Sequence, residues 1–129
     1  MPENVLTRPV TAADVTNAVE RYHDALNRND VEAAVAAFTD DAVIDCTPPP
    51  DGERYEGADR IRTLFRQLFD SAADRSFDTE EVFFAGDRAV VRWCHRWVDA
   101  SGRNGHVRGV DVLRIRDGKI AEKLAYVKG

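Results

Sequence analysis

The spacing of hydrophobic positions predicts helices in the first half of the chain and strands in the second. Thr11 is a favourable N-cap, and Asp14 follows it in the first helical turn. From there apolar residues recur every three or four positions, at Val15, Ala18, Val19, Tyr22 and Leu26. This helical spacing places Tyr22 on the buried face and His23 toward solvent.

Two more helices and a strand are predicted before the chain becomes mainly extended. A short helix starts at Asp30, buries Phe38 and stops at 39–41, and a strand over 42–47 follows it. The prolines at 48–50 cannot donate hydrogen bonds to a sheet, so this strand ends in a loop. Gly57 then precedes a third helix. Its apolar face, which we expect to pack on a sheet, contains Ile61, Leu64, Phe65, Leu68 and Phe69.

Four extended segments complete the chain, at 77–85, 88–100, 106–116 and 119–127. Turn sequences link them, including Gly86-Asp87 and Asp117-Gly118, so the strands are expected to run as an antiparallel meander. Helices followed by a sheet of long strands indicate the α+β fold class.

Length, charge and cysteine content exclude several classes of protein. A chain of 129 residues fits a single domain, and a net charge of −5 argues against a nucleic acid partner. Two cysteines make no disulfide framework, and the three histidines lack metal-ligand spacing, so neither a metal nor another cofactor is expected. Residues 1–6 show no signal peptide or membrane span, which makes a cytoplasmic location the expectation.

Asp111 is the most informative residue of the predicted sheet. Strand alternation places it on the same face as Val107, Leu113 and Ile115, while the neighbouring arginines fall on the other face. A carboxyl group among aliphatic side chains loses hydration, so it must find a partner or keep its proton. Asp111 is therefore either a group for proton chemistry or a structural acid with a buried partner.

The strand at 88–100 also has unequal faces. Val91, Trp93, His95 and Trp97 alternate on the side that we assign to the interior. Aromatic walls with a few polar groups line many small-molecule pockets, so these residues are candidates for a binding site. The alternative is that both tryptophans belong to an ordinary core and that His95 is a satisfied core histidine.

Several segments, in this order, carry a family resemblance: Glu20-Arg21-Tyr22, the run 38–43, Tyr55-Glu56-Gly57, and Gly109-Val110-Asp111. On them the chain resembles the ketosteroid-isomerase-like and SnoaL-like, polyketide-cyclase-like members of the nuclear transport factor 2-like superfamily. The resemblance covers 15–127. It implies a cone of curved mixed or antiparallel sheet around a pocket, closed by three helices. Function varies widely on this fold.

The resemblance also implies roles for individual residues. Tyr22 and Asp111 fall where the isomerases place a tyrosine and a protonated aspartic acid that hydrogen-bond an enolate oxygen; the neutral acid donor is a known feature of that family. The isomerases carry a base at the end of the first strand, where this chain has Cys46, with Asp45 one residue earlier. Alternation lets only one of the two point into the pocket. If Cys46 points inward, His95 is the replacement base, because imidazole titrates near neutral pH.

Two registers of the last hairpin lead to different chemistry at Asp111. A two-residue turn at Asp117-Gly118 places Leu124 opposite Asp111. A three-residue turn with a bulge instead places Lys123 opposite Asp111 and turns Ala125 and Val127 inward. The family pattern favours the second register. In it, a nearby ammonium would hold Asp111 ionised.

The outer faces of two central strands predict a homodimer. Arginines alternate there with aliphatic residues and one cysteine, a mixture typical of a dimer contact or of a salt-bridged surface. The residues are Arg92, Arg96, Arg108, Arg114, Cys94, Val98, Val110 and Val112.

We therefore expect an enzyme without a cofactor that acts on a small apolar or aromatic ligand. It would transfer a proton next to a carbonyl, or hydrate, dehydrate or cyclise its substrate. Tyr22 and Asp111 would bind the reacting oxygen, and His95 or Asp45 would move the proton. The substrate-binding residues would be Phe38, Cys46, Phe65, Trp93, Trp97 and Lys123. The alternative, favoured by Cys46 at the base position, is a dimeric ligand-binding or interaction module without chemistry.

Overall fold

A computed structural model describes residues 9–71 and 74–128. Within them the helices are α1 (Ala12–Asn27), α2 (Val31–Ala36) and α3 (Ala58–Asp70). The strands are β1 (Phe38–Asp45), β2 (Arg54–Glu56), β3 (Asp74–Ala85), β4 (Arg88–Val98), β5 (Asn104–Arg116) and β6 (Lys119–Val127). Residues 1–6, on which the expectation about a signal peptide rests, lie outside the described residues. No helix in the described ranges is long and apolar enough to span a membrane.

Side-chain caps define the beginnings of the first two helices. The Thr11 hydroxyl accepts a hydrogen bond from the Asp14 N–H at 3.1 Å, and the Asp14 carboxylate accepts one from the Thr11 N–H at 3.0 Å. This reciprocal capping box satisfies two backbone donors that the helix itself cannot. Asp30 caps α2 by accepting from the Ala33 N–H at 3.0 Å. The predicted helix starts are therefore confirmed.

The six strands form one curved, open, mixed sheet in the order β2-β1-β6-β5-β4-β3. The meander from β3 to β6 is antiparallel as predicted, whereas β1 runs parallel to β6. The three helices and this sheet confirm the α+β fold. At the β1 edge of the sheet, the sequence prediction is wrong in two details. The first strand begins at Phe38, because Phe38 pairs with Ile120, and the short strand β2 pairs with β1.

Two glycines make room for the tryptophans of the inner sheet face. Trp93 lies opposite Gly109, and Trp97 lies opposite Gly105. A Cβ atom at Gly109 would lie 2.7 Å from the Trp93 ring, and one at Gly105 would lie 2.5 Å from the Trp97 ring. Real Cβ atoms do not approach other atoms so closely, so each indole lies directly over the backbone of the neighbouring strand.

Neither predicted register of the last hairpin is correct. Asp117 and Gly118 form a two-residue turn, with φ values of 54° and 73°, and Arg116 pairs with Lys119. A bulge beyond the turn shifts the pairing, so that Ala125, rather than Leu124 or Lys123, lies opposite Asp111. The bulge leaves Lys123, Ala125 and Val127 on the inner face, as the second predicted register required.

Candidate functional site

A cavity of about 190 Å³ lies between the inner sheet face and helices α1 and α3. Apolar side chains form most of its wall, and a few polar groups point into it, as in many small-molecule sites. The lining residues are Tyr22, His23, Leu26, Cys46, Thr47, Leu64, Phe65, Leu68, Phe77, Trp93, His95, Val107, Asp111, Lys123, Ala125 and Val127.

A buried ion pair lies in the wall of this cavity. The Nζ atom of Lys123 is 3.7 Å from Oδ1 of Asp111, and the two side chains are only 12% and 5% exposed. Lys123 lies on β6, opposite Leu113 of β5. It is two residues before Ala125 and therefore faces inward as Ala125 does. Two opposite charges inside an apolar wall cost desolvation free energy, which is recovered only while both partners are present.

Tyr22 completes the polar cluster from the helical side. It is 4% exposed, and the ammonium of Lys123 lies 5.9 Å from the centroid of its ring. Phe38 packs edge-on against the ring of Tyr22 at 5.2 Å, and Phe65 lies 6.0 Å away. The two phenylalanine rings hold the phenol toward Lys123 and Asp111.

Burial dominates the pKa values of this cluster. It raises the pKa of Tyr22 to about 12, although the charge of Lys123 acts in the opposite direction. It also raises the pKa of Asp111, and the charge of Lys123 opposes that rise without cancelling it. Burial by itself lowers the pKa of Lys123, but the effects of Asp111, Tyr22 and Cys46 together outweigh burial and raise this pKa, with Asp111 contributing the most among the three. The result is a carboxylate that is more basic than usual beside a firmly protonated ammonium.

Three polar atoms of the cavity-lining residues have no hydrogen-bond partner within the described structure. They are Oδ1 of Asp111, Nε1 of Trp93 and Nε2 of His95. The indole N–H of Trp93 lies near enough to Asp111 to favour the ionised carboxyl, but it makes no hydrogen bond with it. Buried polar atoms are normally paired, so these three are candidates for contact with a ligand.

Asp45 and Cys46 point in opposite directions, as strand alternation requires. Cys46 lines the cavity and Asp45 does not. The prediction that Asp45 moves the proton is therefore not supported by its position. Burial raises the pKa of the Cys46 thiol, which makes the thiol a weaker candidate for a nucleophile.

The other predicted pocket residues divide into two groups. Phe65, Trp93 and Lys123 line the cavity as expected. Phe38 and Trp97 do not line it. Phe38 is 2% exposed and lies behind Tyr22 and Phe65, because the first strand begins four residues earlier than predicted. Trp97 lies over Gly105, with its ring centroid 5.3 Å from that of His95.

A model of the SnoaL-like domain matches residues 19–123. The chain belongs to the SnoaL-like family. The match includes Tyr22, Cys46, Asp111 and Lys123, so the polar cluster of the cavity lies within the family domain. This SnoaL-like domain is part of the nuclear transport factor 2-like superfamily, as the resemblance implied.

Solved structures have a similar fold. An NTF2-like protein of unknown function from Mesorhizobium loti is 35% identical, with a TM-score of 0.74, and the match covers 95% of this chain and 98% of that one. An LEH-like epoxide hydrolase from M. tuberculosis is 20% identical, with a TM-score of 0.75, covering 90% and 84%. TerC, co-crystallised with polyporic acid, is 16% identical, with a TM-score of 0.76, covering 91% and 92%. A comparison with curated proteins finds no match.

His95 of this SnoaL-like domain lines the cavity but is poorly suited to be the base. Its ring stacks on Phe77 with centroids 4.1 Å apart and an interplanar angle of 7°. Burial, with a smaller effect from the charge of Arg75, lowers its pKa to about 4. The prediction assumed titration near neutral pH, and burial removes that property. A neutral His95 remains able to hydrogen-bond a ligand.

His23 is a cavity residue that the sequence prediction placed toward solvent. It is 6% exposed, and its Nδ1 lies 2.5 Å from the hydroxyl of Thr79. Burial lowers the pKa of His23 to about 4, with a smaller effect from Lys123. His23 follows Val19 by four residues, and this spacing could have indicated its buried position.

His23 predicts acid destabilisation of the domain. Its folded pKa of about 4 lies below the ordinary value of 6.5, so the unfolded chain binds the proton more tightly. Its contribution to stability is therefore complete above pH 6.5 and lost as the pH falls to 4. It amounts to about 3 kcal/mol, at about 1.4 kcal/mol per pKa unit. We expect urea unfolding of His23→Gln to show that its free energy of unfolding falls less than that of wild type between pH 6.5 and pH 4. The same dependence of this free energy on pH in both proteins would contradict the prediction.

Within 9–71 and 74–128, no three His, Cys, Asp or Glu side chains come together as possible ligands. The Nδ1 atom of His23 contacts the Thr79 hydroxyl, and the Asp111 carboxyl group pairs with Lys123.

Proposed function

We propose that this domain is an enzyme without a cofactor that transfers a proton next to a carbonyl group of a small apolar or aromatic substrate. Isomerisation, cyclisation and dehydration all use such a step. One observation carries the proposal. The Oδ1 atom of Asp111 is buried in an apolar cavity, lacks a hydrogen bond, and lies 3.7 Å from a buried ammonium.

Asp111 is proposed to act as the base, rather than as the neutral donor that the resemblance implied. The ammonium of Lys123 favours its ionised form, while burial raises its pKa and so its basicity. Asp111 takes a proton from the carbon next to the carbonyl, and the electron pair of that C–H bond forms an enolate. Asp111 then returns the proton to another carbon. The proton balance closes within this cycle, so an isomerisation needs no other reactant.

Lys123 and Tyr22 are proposed to stabilise the enolate oxygen. An ammonium and a phenol are strong donors, and a dry cavity increases the electrostatic free energy that each contributes. The Nζ atom of Lys123 lies 5.9 Å from the centroid of the Tyr22 ring, and both residues line the same cavity. Trp93 and His95 are proposed to orient the rest of the ligand.

We propose an apolar or aromatic ligand, because most of the side chains in the cavity wall are apolar or aromatic. TerC, a neighbour in fold, was co-crystallised with polyporic acid, which supports a ligand of this kind. The epoxide hydrolase neighbour supports a catalytic use of the fold. Epoxide hydrolysis itself is a weaker candidate, because the family chemistry requires a second aspartate on the last strand. Lys123, Ala125 and Val127 stand at the inner positions there.

A second candidate is a dimeric ligand-binding module without chemistry. The observation that favours it is Cys46, which occupies the inward position where the isomerases carry their base. Dimerisation remains a proposal. The outer-face arginines Arg92, Arg96 and Arg108 have carboxylate partners in their own chain, at 3.0 to 3.2 Å. A cytoplasmic location is also proposed, because Cys46 and Cys94 are free thiols, as is usual in a reducing compartment.

Phenolate binding tests the proposal, because the base assignment predicts whether removing the charge of Asp111 strengthens or weakens the binding of phenols. A phenolate resembles an enolate, so the anionic Asp111 should oppose its binding and Lys123 should favour it. We expect Asp111→Asn to bind phenols about 10-fold more tightly than wild type, and Lys123→Met about 100-fold more weakly, because a coupling of about 1.4 kcal/mol corresponds to 10-fold and one of about 2.8 kcal/mol to 100-fold. The measurement is isothermal titration calorimetry with substituted phenols.

Tyr22→Phe serves as a conservative comparison in the same titration. It removes one hydroxyl and preserves the packing on Phe38, so a loss of about 10-fold is expected. Weaker binding by Asp111→Asn would sink the base assignment and restore the neutral-donor role. Equal binding by all the variants would mean that phenols do not contact this cluster.

A further inference from the structure

The cavity shares part of its wall with a groove on the surface of the domain. This groove, of about 410 Å³, runs between the loop at 48–52 and the end of β6. Cys46, Thr47, Ala125 and Val127 line both the cavity and the groove. We call these four residues the lip. Since β1 and β6 run in parallel and end together here, the lip is where the sheet opens to the surface.

The sizes of the two spaces indicate how they are used. Ligand pockets usually measure roughly 300–1,000 Å³. The cavity alone, at about 190 Å³, falls below this range, whereas the cavity and groove together fall within it. A ligand with one or two rings fills the cavity, and a longer one must pass over the lip.

The chemistry of the groove restricts what can lie there. Its lining includes the proline run 48–50, Ala125, Tyr126 and Val127, and Val127 is 41% exposed. Asp45 and Asp51 also line the groove, so an anionic group would meet like charge. Three prolines also present a surface without N–H donors. An uncharged apolar chain fits this groove best.

We infer that the groove between the proline loop and β6 is a second subsite, which holds a neutral apolar tail of the ligand whose head occupies the cavity. The inference rests on the proposed ligand-binding role of the cavity. It makes Thr47 and Val127 residues that determine specificity for ligand length. Neither is part of the polar cluster that the proposed chemistry uses.

A series of 4-alkylphenols, from ethyl to octyl, tests the subsite. Wild type is expected to bind about two- to fourfold more tightly per added methylene through octyl. Burial of one methylene group contributes up to about 0.8 kcal/mol of binding free energy. Thr47→Trp closes the lip from an exposed position, so the gain should stop once the cavity is full, with ethylphenol affected little. Val127→Ser should reduce the gain only for long chains.

Phe84→Ser is the matched control. Phe84 is 39% exposed, close to the 41% of Val127, and lines neither space. It should bind every phenol as wild type does. Wild-type affinity that levels off at the same chain length as Thr47→Trp would overturn the subsite. So would affinity for octylphenol that falls as protein concentration rises, because a second copy of the chain would then occupy the groove.

A series without the phenol head separates this inference from the proposed function. Primary alkanols of the same lengths should show the same gain per methylene, sensitive to Thr47→Trp and insensitive to Asp111→Asn. No gain in either series would overturn the subsite. A gain in both series, with no effect of Asp111→Asn or Lys123→Met on short phenols, would instead remove the proposed function and leave the subsite standing.

Discussion

Lys123→Met is expected to lower the free energy of unfolding by about 3–5 kcal/mol. Methionine fills the space of the lysine stem but leaves the carboxyl group of Asp111 buried without a counter-charge. Asp111 is 3% exposed, so solvent cannot replace the lost partner. The measurement is urea unfolding at pH 7, where the slope with urea reports whether the denatured state has also changed. The deficit should narrow as the pH falls, since burial raises the pKa of Asp111 and protonation removes the buried charge.

The double variant Asp111→Leu, Lys123→Met shows whether the pair itself is responsible. Removing both charges removes both desolvation costs, so the double variant should be about as stable as wild type. Lys128→Met is the control for removal of a lysine charge. Lys128 is exposed, so this substitution should change the free energy of unfolding little. The single variants Asp111→Leu and Lys123→Met are measured alongside it. If their losses of unfolding free energy simply add in the double variant, the two charges are not coupled.

Asp111→Asn is expected to slow proton exchange next to a carbonyl by about 100- to 10,000-fold, the usual contribution of a general base. The assay needs no knowledge of the natural substrate. A two-ring aromatic ketone, such as 1-indanone, is incubated in D₂O with the protein, and proton NMR follows the loss of the signal next to the carbonyl. Asparagine preserves the shape of the side chain, so a lost rate without lost binding identifies the base.

The pH dependence of this exchange provides a second check. The rate should rise as Asp111 ionises, with a midpoint above the ordinary aspartate value, because burial raises its pKa. It should then stay level into alkaline pH, since the pKa of Tyr22 is raised to about 12. Binding of ketones without any exchange in the wild type would favour the non-catalytic module.

Much of the fold could be predicted from local patterns. Helical spacing after Thr11 correctly indicated α1, and alternation correctly indicated the faces of β4 and β5. The boundary between α2 and β1 was misplaced, because Phe38 is apolar and fits either a helix or a strand. Its pairing with Ile120, more than eighty residues later, decides the matter. A three-residue strand such as β2 has too short a pattern to be recognised.

The candidate site was predicted less completely than the fold. Tyr22, Asp111, Trp93 and Lys123 come together as expected, because each lies on a face that its spacing defines. Asp45, Phe38 and Trp97 were assigned to the pocket wall or its chemistry and lie outside it. His23 was also missed: its spacing from Val19 could have indicated its burial, but its contact with Thr79 of β3 has no local signal.

The sequence alone determined the inward faces of α1, β4 and β5, apart from His23, and the family to which the chain is similar, because periodicity and order along the chain are local properties. Only the tertiary structure decided how the inward-facing residues meet. The bulge after Ile120 sets Ala125 opposite Asp111 and still leaves Lys123 within 3.7 Å of it. A bulge changes pairing by one residue without changing the pattern of hydrophobic positions. The charge state of Asp111, and with it the proposed chemistry, depends on that one residue.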